Sequence, residues 1–320
     1  MTTNQLTTGT QMPDGDTGLD VVTGAFSYSG AAIAGALIDR GRRVRTITGH
    51  PGRAGRSSPI EVRPLDFDDH LGLVESLRGT TTLYNTYWVR FPRRQIDHDV
   101  AAMNSRALFQ AARRAGVLRV VHVSITHPSI ESPDGYFRGK ALVERELTSS
   151  GLSFAILRPA ILFGADGVLI NNIAWLLRHL PVFGVGGRGD YRIRAVHIDD
   201  LARLCAAKGS ERSDSVTDAV GPERPTFLEL VKTIRDVVGS RARIVRVPGI
   251  LVPPLSGLLG LALRDVLLTG DEYRAMAGGL ADTAGPATGR IRLSDWLVDH
   301  ADSLGVRYAN EIERHFVAPG

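Results

Sequence analysis

Residues 19–30 read LDVVTGAFSYSG, and this stretch decides the fold. The run Leu19–Thr23 is apolar and rich in β-branched residues, which predicts a short buried strand. Gly24 follows directly and permits a tight turn. From Ser29 the pattern predicts a helix through Arg40 that ends at Gly41, because glycine is common just beyond helix C-termini. Strand, glycine turn and helix in this order predict the first unit of a parallel α/β sheet.

The turn also has the features of a phosphate-binding loop. Gly24 permits the tight turn, Gly30 allows the helix to pack closely on the strand, and the helix N-terminus presents N–H groups to a pyrophosphate. Phe26, Ser27 and Tyr28 lie in the turn and are expected at the ligand. Ser27 replaces a customary glycine, and its hydroxyl is expected to allow close approach and to donate to a phosphate. We predict dinucleotide binding; the alternative is a tight strand-to-helix turn without a ligand.

The alternation of apolar runs and amphipathic segments continues to about residue 160. Further strands are predicted at Val44–Thr48, Ile60–Arg63, Thr82–Asn85, Arg119–Ser124 and Ser153–Leu157. Helices are predicted at Ile96–Ala115 and Tyr136–Ser150. Short connections between the units favour a doubly wound parallel sheet, a Rossmann-type α/β fold, over a barrel.

Three parts are expected along the chain. Residues 1–18 lack an apolar run and predict a disordered leader without a signal peptide. Residues 19–165 predict the dinucleotide-binding domain, and residues 166–320 a smaller C-terminal α+β lobe, partly interleaved with it. The elements expected in this lobe are a helix at Asn171–Leu180, a Gly-rich loop at Pro181–Asp190, a strand at Tyr191–Ile198, a helix from Asp199 or Asp200 through Ala207, and helices at Thr226–Gly239 and Ile291–Leu304.

Composition excludes several classes of protein. The net charge is +4 over 320 residues, and the arginines are scattered, which argues against a nucleic-acid partner. Cys205 is the only cysteine, so no intramolecular disulfide forms, and a buried thiol in a reducing, cytoplasmic location is expected. The apolar run Ile250–Leu263 is too short to span a membrane, which takes about 20 residues. Residues 250–268 are expected either to pack on the lobe, to wall a pocket, or to contact a membrane surface or a protein partner.

The residues after the second predicted strand bear on the choice of cofactor. No Asp or Glu occurs between residues 40 and 60, where a carboxylate would favour NAD by binding the ribose diol. The same window contains His50 and six arginines, namely Arg40, Arg42, Arg43, Arg45, Arg53 and Arg56. NADP is therefore expected over NAD, with His50 and Arg53 at its 2′-phosphate; alternatively, the arginines form a solvated helix end and loop.

Three further side chains are expected along the cofactor. Asp66 and Phe67 follow the third predicted strand, where Asp66 is expected to hydrogen-bond the adenine and Phe67 to pack on it. Asn85 ends the fourth predicted strand and is expected at the same edge of the sheet.

A candidate reactive group lies around residue 136. Tyr136 and Lys140 are four residues apart and therefore share one helical face. The Lys140 ammonium is expected to lower the pKa of the Tyr136 phenol, and Ser124 is expected to hydrogen-bond a substrate oxygen.

Taken together, these motifs resemble the short-chain dehydrogenase/reductase superfamily, in the extended or atypical branch that includes epimerase/dehydratase-like and NAD(P)H-binding proteins. The residues that carry the resemblance are Thr23, Gly24, Ala25, Gly30, Asp66, Phe67, Asn104, Ser124, Tyr136, Lys140, residues 158–164 and residues 196–202. Ser27 and residues 85–88 depart from the family pattern.

The resemblance implies a role for each matched residue. Ser124, Tyr136 and Lys140 would perform acid/base chemistry, with Asn104 behind Lys140, which also contacts the cofactor. Pro159 and Ile161 would lie against the nicotinamide, and residues 196–202 would be structural. The function implied is an NAD(P)-dependent oxidoreductase or epimerase/dehydratase-like enzyme that acts on a carbonyl or hydroxyl group. The alternative is a non-catalytic NAD(P)H-binding sensor or scaffold.

The remaining candidates concern substrate and metal. Tyr84, Tyr87, Trp88 and Phe91 are clustered after the fourth predicted strand, and Tyr87 and Trp88 are expected to wall a pocket for an apolar substrate. The alternative substrate is a nucleotide sugar. Arg90, Arg93 and Arg94 are expected in a loop, although they would also suit an acidic substrate. The Asp97-His98-Asp99 run predicts a solvated helix start and no metal site, because adjacent helical side chains diverge. His122 is expected in the core.

Overall fold

The computed structural model describes residues 18–53, 58–92 and 96–310. A parallel sheet of seven strands forms its centre, in the order β10-β6-β5-β4-β1-β2-β3. The strands are β1 (Leu19–Thr23), β2 (Arg43–Thr48), β3 (Glu61–Pro64), β4 (Thr80–Asn85), β5 (Arg119–Val123), β6 (Ser153–Pro159) and β10 (Ser215–Ala219). The strand order reverses between β1 and β4, which is where ligands bind in such sheets. The predicted Rossmann-type fold is confirmed.

Two layers of helices cover the sheet because successive strand residues face opposite sides. Val22 and Leu157 face the layer formed by α1 (Tyr28–Ile38) and α6 (Ile198–Gly209). Val21 and Ile156 face the other layer. That layer consists of α2 (His70–Leu77), α3 (His98–Ala115) and α4 (Gly135–Thr148). Strands buried on both faces account for the nearly continuous apolar runs in the sequence.

Local signals set the helix ends. Asp97 caps α3 by accepting a hydrogen bond from the Val100 N–H, so the Asp97–Asp99 run is a helix start, as predicted. Gly116 ends α3 with a φ of 77°, a left-handed conformation that favours glycine. The predicted bounds of α3 and α4 are within two residues of those observed.

The second half of the chain contributes to both parts of the molecule. Its α6 and β10 complete the main sheet and its helical layer, and Cys205 of α6 is buried there as expected. The remaining elements are β7 (Ile161–Phe163), α5 (Val168–His179), β8 (Val182–Gly186), β9 (Ala195–His197), α7 (Phe227–Val237), β11 (Arg243–Val247), α8 (Val252–Leu263), α9 (Gly270–Ala277) and α10 (Leu293–Asp299). They enclose a core of their own, distinct from the two cores that flank the main sheet.

Two predictions in the lobe were wrong. The expected loop Pro181–Asp190 contains β8, which pairs with β11 in a parallel ladder. Its Gly186 serves close packing and not a turn, since a Cβ there would lie 2.4 Å from the Tyr273 ring. The expected strand Tyr191–Ile198 is reduced to β9, which pairs with β7.

Asp200 of α6 joins the two parts of the molecule. Its buried carboxylate accepts hydrogen bonds from the Arg290 and Ile291 N–H groups, both at 2.8 Å, and pairs with Arg203. These bonds, with the loop after β10, hold the lobe against the sheet. The structural role implied for residues 196–202 agrees with this arrangement.

The apolar segment 250–268 contains a 3-10 turn (Gly249–Leu251) and α8. Pro253 and Pro254 lie in the first turn of α8, where proline is compatible with a helix because its missing N–H has no partner there anyway. Most of the outer side of α8 is exposed. None of the helices in the described ranges is long and apolar enough to cross a membrane.

Candidate functional site

The turn between β1 and α1 is held by its own residues. Gly24 has a φ of +63°, which L side chains rarely adopt. The Ser27 hydroxyl donates to the Gly24 carbonyl oxygen at 2.7 Å and accepts from the Gly30 N–H at 3.3 Å. A Cβ on Gly30 would lie 2.1 Å from the Gly24 oxygen, so position 30 admits no side chain without a change in the turn.

Ser27 therefore caps α1, and its proton is committed to the turn. The expectation that this hydroxyl donates to a phosphate is corrected: the Gly24 carbonyl takes that hydrogen bond because it lies within the same seven residues. Instead, no described residue accepts a hydrogen bond from the backbone N–H groups of Phe26 and Ser29. These two N–H groups lie at the start of a helix, where unbonded N–H groups suit a pyrophosphate.

Most of the arginines between residues 40 and 60 lie away from this turn. Arg43 is the first residue of β2, so it and the preceding Arg40 and Arg42 are at the amino end of the strand. Arg42 forms an ion pair with Asp20 at 2.9 Å. Arg45 donates to the carbonyl oxygens at the end of α2 and pairs with Glu61. These four arginines are therefore not at the carboxyl end of β2, where the 2′-phosphate of NADP is expected.

His50 and Arg53 are at the carboxyl end of β2, where a 2′-phosphate is expected. His50 is exposed, and Arg53 ends a 3-10 turn at Pro51–Arg53. Arg56 lies outside the described residues. Gly49 directly precedes His50, and a Cβ on Gly49 would meet no atom within 4 Å. Two basic side chains, His50 and Arg53, therefore lie at the end of β2, with open space at Gly49.

The three further residues expected along the cofactor differ in their surroundings. Asp66 is exposed, and its carboxylate accepts from the Asp68 N–H at 2.9 Å. Phe67 packs on Tyr87, with 4.9 Å between ring centroids. Asn85 is fully buried, and its amide bonds His122 Nδ1 at 3.1 Å and accepts from the Tyr87 N–H. The Asn85 side chain is therefore engaged inside the protein.

His122 is in the core, as expected. It is fully buried on β5, and burial, with the nearby Lys140 charge, lowers its pKa well below the ordinary value. An uncharged ring is what the apolar surroundings of Phe109 require.

Ser124 presents a polar atom without a protein partner. Its backbone N–H donates to the Leu157 carbonyl oxygen at 2.7 Å, which fixes the residue beyond the end of β5. Its hydroxyl oxygen is buried, and no described residue hydrogen-bonds it. A buried hydroxyl in this state is costly unless a ligand supplies the missing partner.

Tyr136 is enclosed by aromatic rings. Trp88, His98 and Phe137 contact it edge-on, at centroid distances of 5.8, 5.6 and 5.9 Å. This burial raises the pKa of Tyr136 to about 12, and the nearby Arg90 lowers it only in part. The expected lowering by Lys140 is therefore wrong, because loss of water around the phenol outweighs the charges near it.

Lys140 is directed to other groups. Its Nζ donates to the Val123 carbonyl oxygen at 2.9 Å and lies 4.7 Å from the centre of the Trp88 ring. Burial lowers the pKa of Lys140 to about 7, although Glu144, one turn along α4, acts to raise it. Tyr136 and Lys140 share a helical face as predicted, but Trp88 contacts both.

Trp88 fits tightly against α4. A Cβ on Gly139 would lie 2.6 Å from its ring, and the ring stacks on His98 at 5.7 Å between centroids. The contact of Trp88 with Lys140 was not predicted, and the sequence offers no local signal for it. Its indole nitrogen is buried and hydrogen-bonded to no described residue.

Asn104 is bonded to the other aromatic residue of this loop. Its amide donates to the Tyr87 hydroxyl oxygen at 2.9 Å. The resemblance implied a position behind Lys140; the bond that the structure gives Asn104 goes to Tyr87. Burial raises the pKa of Tyr87.

A cavity of about 700 Å³ opens at the carboxyl ends of the strands. Tyr28 and Tyr136 line it from the Rossmann side, and Ile161, Leu268 and Met276 from the lobe. Pro159 is buried nearby and does not line it. The cavity therefore joins the start of α1 to the candidate phenol.

The predicted pocket wall needs correction. Of the four aromatic residues in 84–91, Phe91 lines the cavity, and Tyr87 and Trp88 do not. Tyr84 is buried beneath the sheet layer against α6, with its ring near Gly209. The cavity wall is formed instead by the lobe, through residues after α8 and in α9.

One ion pair crosses the cavity rim. Arg90, in the loop after β4, donates to Glu272 Oε1 of α9 at 2.8 Å. The other oxygen of Glu272 accepts from Thr269, which caps α9. A single carboxylate therefore completes the helix cap and joins the lobe to the first domain. Arg93 and Arg94 lie outside the described residues.

Metal binding has no candidate in the described part of the chain. No group of three or more His, Cys, Asp or Glu side chains there is arranged to hold an ion.

Comparison with known proteins gives partial matches. No protein-family model matches the chain. The mitochondrial NADH-ubiquinone oxidoreductase 40 kDa subunit of Neurospora crassa is 24% identical over 210 residues, which are 65% of this chain and 55% of that protein. Sterol demethylase protein B of Methylococcus capsulatus is 31% identical over 168 residues, 45% of this chain and 51% of that protein. The chain thus spans about half the length of these curated relatives.

A solved structure matches over more of the chain. The NADPH-dependent quinone oxidoreductase of Escherichia coli, complexed with NADPH, superposes with a TM-score of 0.72 at 21% identity. The match covers 88% of this chain and 99% of that one. At this identity the similarity shows a shared fold.

Proposed function

We propose that this chain is an NADP(H)-dependent reductase of a small, largely apolar carbonyl compound, in the extended or atypical branch of the short-chain dehydrogenase/reductase superfamily. One observation carries the proposal. A single cavity of about 700 Å³ contains both the N-terminal residue of α1, Tyr28, and the phenol of Tyr136. A dinucleotide seated at the turn and a substrate in this cavity would meet beside that phenol.

The turn fits the cofactor. Gly24 and Gly30 leave the approach to α1 free of side chains, and the N–H groups of Phe26 and Ser29 are available to a pyrophosphate. Arg53 supplies a positive charge at the end of β2 and His50 a ring nitrogen for hydrogen bonding, and no carboxylate between residues 40 and 60 repels a 2′-phosphate. The reduced nicotinamide would supply the hydride.

Tyr136 suits proton donation. With a pKa of about 12, the phenol keeps its proton at neutral pH. Reduction of a carbonyl needs a proton on the oxygen, which such a phenol can provide, whereas oxidation of an alcohol needs a base. The Ser124 hydroxyl is buried without a described partner but does not line the cavity, so the proton transfer is assigned to Tyr136 alone. The reductive direction therefore fits the site best.

The cavity lining favours an apolar substrate. Ile161, Leu267, Leu268 and Met276 form much of the wall, and the charged pair Arg90–Glu272 is already bonded to itself. A nucleotide sugar would need several free polar contacts. The names of two similar proteins refer to a sterol and a quinone, both apolar ring compounds, which supports the same substrate class.

The test is NADPH oxidation across a panel of quinones and isoprenoid aldehydes and ketones. Tyr136→Phe should lower turnover by roughly 10²–10⁴-fold while leaving NADPH affinity unchanged, because only the proton donor is lost. Tyr87→Phe is the matched control, since its hydroxyl is bonded to Asn104 outside the cavity. Full activity in Tyr136→Phe, or loss in both variants, would contradict the assignment.

A second function is favoured by one observation. Lys140 is covered by Trp88 and bonded to Val123, so its ammonium is not presented to a bound cofactor. This arrangement suits a non-catalytic NADPH-binding protein, and the Neurospora crassa relative is a subunit of a larger assembly by name. Calorimetric binding of NADPH without oxidation by any compound of the panel would favour this reading.

A further inference from the structure

The outer side of α8 is an exposed apolar surface. Leu251, Leu255, Leu258 and Leu261 are 46%, 51%, 69% and 78% exposed, and Ile250 before them is 84% exposed. Spacings of four, three and three residues place the four leucines on one side of the helix. We call these five residues the α8 face. Contiguous exposed leucines of this kind mark an interaction surface.

The opposite side of α8 already has its partner. Val252 packs against the lobe at Gly186, where a Cβ would lie 2.7 Å from its methyl group, and Gly260 is buried against Asp265. The helix is therefore apolar on both sides, with one side docked and one free. A helix with this pattern is normally buried all round, so the α8 face needs a further apolar partner.

Along the chain, the charged residues next to the α8 face all have the same sign. From Val237 to Arg264 the sequence contains no Asp or Glu, while Arg241, Arg243, Arg246 and Arg264 are all exposed. In the described ranges no carboxylate pairs with any of these four guanidiniums. Arg246 is four residues before Ile250 in the sequence, and Arg264 directly follows α8.

We propose that the α8 face binds an anionic membrane surface, with its leucines in the interfacial layer and the four arginines at the lipid headgroups. An apolar helix side flanked by basic residues is the pattern of helices that lie in the plane of a membrane. With 12 residues, α8 is too short to cross the bilayer and long enough to lie on it.

A second copy of the chain suits this face less well. A symmetric pairing of α8 with α8 would bring the arginine-containing segments 241–264 of two chains towards each other, and like charges repel. An anionic membrane offers the reverse: a negative surface above a continuous apolar layer. Charge complementarity therefore selects the membrane over self-association.

The α8 face is close in sequence to the wall of the cavity. The helix leads within a few residues to Leu267 and Leu268, which line the cavity wall. A chain seated on α8 would hold that wall next to apolar compounds dissolved in the bilayer. This consequence rests on the proposed function, whereas membrane binding itself does not.

The experiment is co-sedimentation of the full chain with vesicles of phosphatidylcholine, with and without phosphatidylglycerol, at low and high salt. Binding to the phosphatidylglycerol vesicles that weakens with salt is expected. The variant Leu255→Gln/Leu258→Gln/Leu261→Gln should lower it by roughly tenfold per leucine. The control Leu71→Gln/Leu118→Gln alters two leucines that are equally exposed elsewhere and should bind normally.

The arginines are tested in the same assay. Arg241→Gln/Arg243→Gln/Arg246→Gln should weaken binding by roughly fivefold per residue, whereas Arg114→Gln/Arg145→Gln/Arg212→Gln, which removes three exposed arginines elsewhere, should change it little. Absence of binding to either vesicle, or equal binding to both at all salt concentrations, would overturn the proposal. Concentration-dependent dimers in ultracentrifugation that the leucine variant abolishes would also overturn it. NADPH oxidation in solution by all variants would keep the two proposals separable.

Discussion

The phosphate turn and the Tyr136–Lys140 face are neighbours in space but are determined in different ways. The turn is closed by hydrogen bonds among Gly24, Ser27 and Gly30, all within seven residues. The face is set by Trp88, which comes from a loop far along the chain and contacts both the phenol and the ammonium. A local motif thus predicts geometry when its residues form their hydrogen bonds with one another. The prediction fails when a side chain distant in sequence packs against the motif.

The largest effect is expected from a single methyl group added in the turn, which tests whether the local hydrogen bonds determine its geometry. Gly30→Ala should lower the affinity for NADPH by roughly 100-fold or more, because the new Cβ would overlap the Gly24 oxygen. It should also lower the free energy of unfolding by about 1–3 kcal/mol. Calorimetry and urea unfolding measure the two effects.

The matched control is Gly35→Ala on the same helix. A Cβ there meets no atom within 4 Å, and the higher helix propensity of alanine should stabilise the chain slightly. Equal effects of the two substitutions would show that helix α1 tolerates side chains uniformly and that the turn has no special geometry.

A second prediction concerns the buried charge of Lys140. Its pKa is about 7 in the folded chain and 10.5 as an ordinary lysine, so between these pH values the unfolded chain holds a proton that the folded chain has released. The free energy of unfolding should therefore rise with pH in this window, by up to about 1.4 kcal/mol per unit. Below pH 7 both states are protonated and the contribution of Lys140 to the slope vanishes.

Urea unfolding of the wild type and of Lys140→Met between pH 6 and 10 measures this slope as a difference. Lys232→Met, which removes an exposed lysine, is the control and should keep the wild-type slope. Trp88→Ala should admit water to the ammonium and move the onset of the slope to higher pH. An identical pH dependence in Lys140→Met and the wild type would mean that the ammonium is solvated and that Trp88 does not cover it.

The smallest effect is expected at the end of β2, where a substitution tests the preference for NADPH over NADH. Gly49→Asp should shift the preference from NADPH toward NADH by roughly tenfold, because a carboxylate repels the 2′-phosphate and accepts from the ribose diol. Open space around Gly49 allows the substitution without strain. Gly49→Asn has the same shape without the charge; a shift of equal size with Asn would assign the effect to shape and not to charge.

The sequence predicted six of the seven strands of the main sheet within two residues, and most of these six are compact apolar runs between clear turn signals. It missed β10, an edge strand whose residues Ser215–Ala219 alternate polar side chains. It also assigned β8 to a loop because of its glycines. Gly186 is required by the Tyr273 ring, a contact between distant parts of the chain that no local pattern reveals.

The site was predictable to the same degree. The positions of Gly24, Gly30, Ser124 and Tyr136 follow from the strand and helix pattern, and each lies near the carboxyl edge of the sheet. The environment of Tyr136 did not follow, because helical spacing gives a distance to Lys140 and not the burial that sets the pKa. The cavity wall was missed for a similar reason: α9 reaches the sheet only through the fold of the lobe.

The ion pair between Arg90 and Glu272 has a consequence for the timing of ligand exchange. Each side chain is about 30% exposed, and pairs in such surroundings contribute about 1 kcal/mol or less. A pair of that strength is broken during a substantial fraction of the time, roughly one sixth at 1 kcal/mol. The Arg90–Glu272 ion pair therefore breaks by thermal fluctuation, and more often at high salt, so this contact alone would not slow diffusion of a ligand into the cavity.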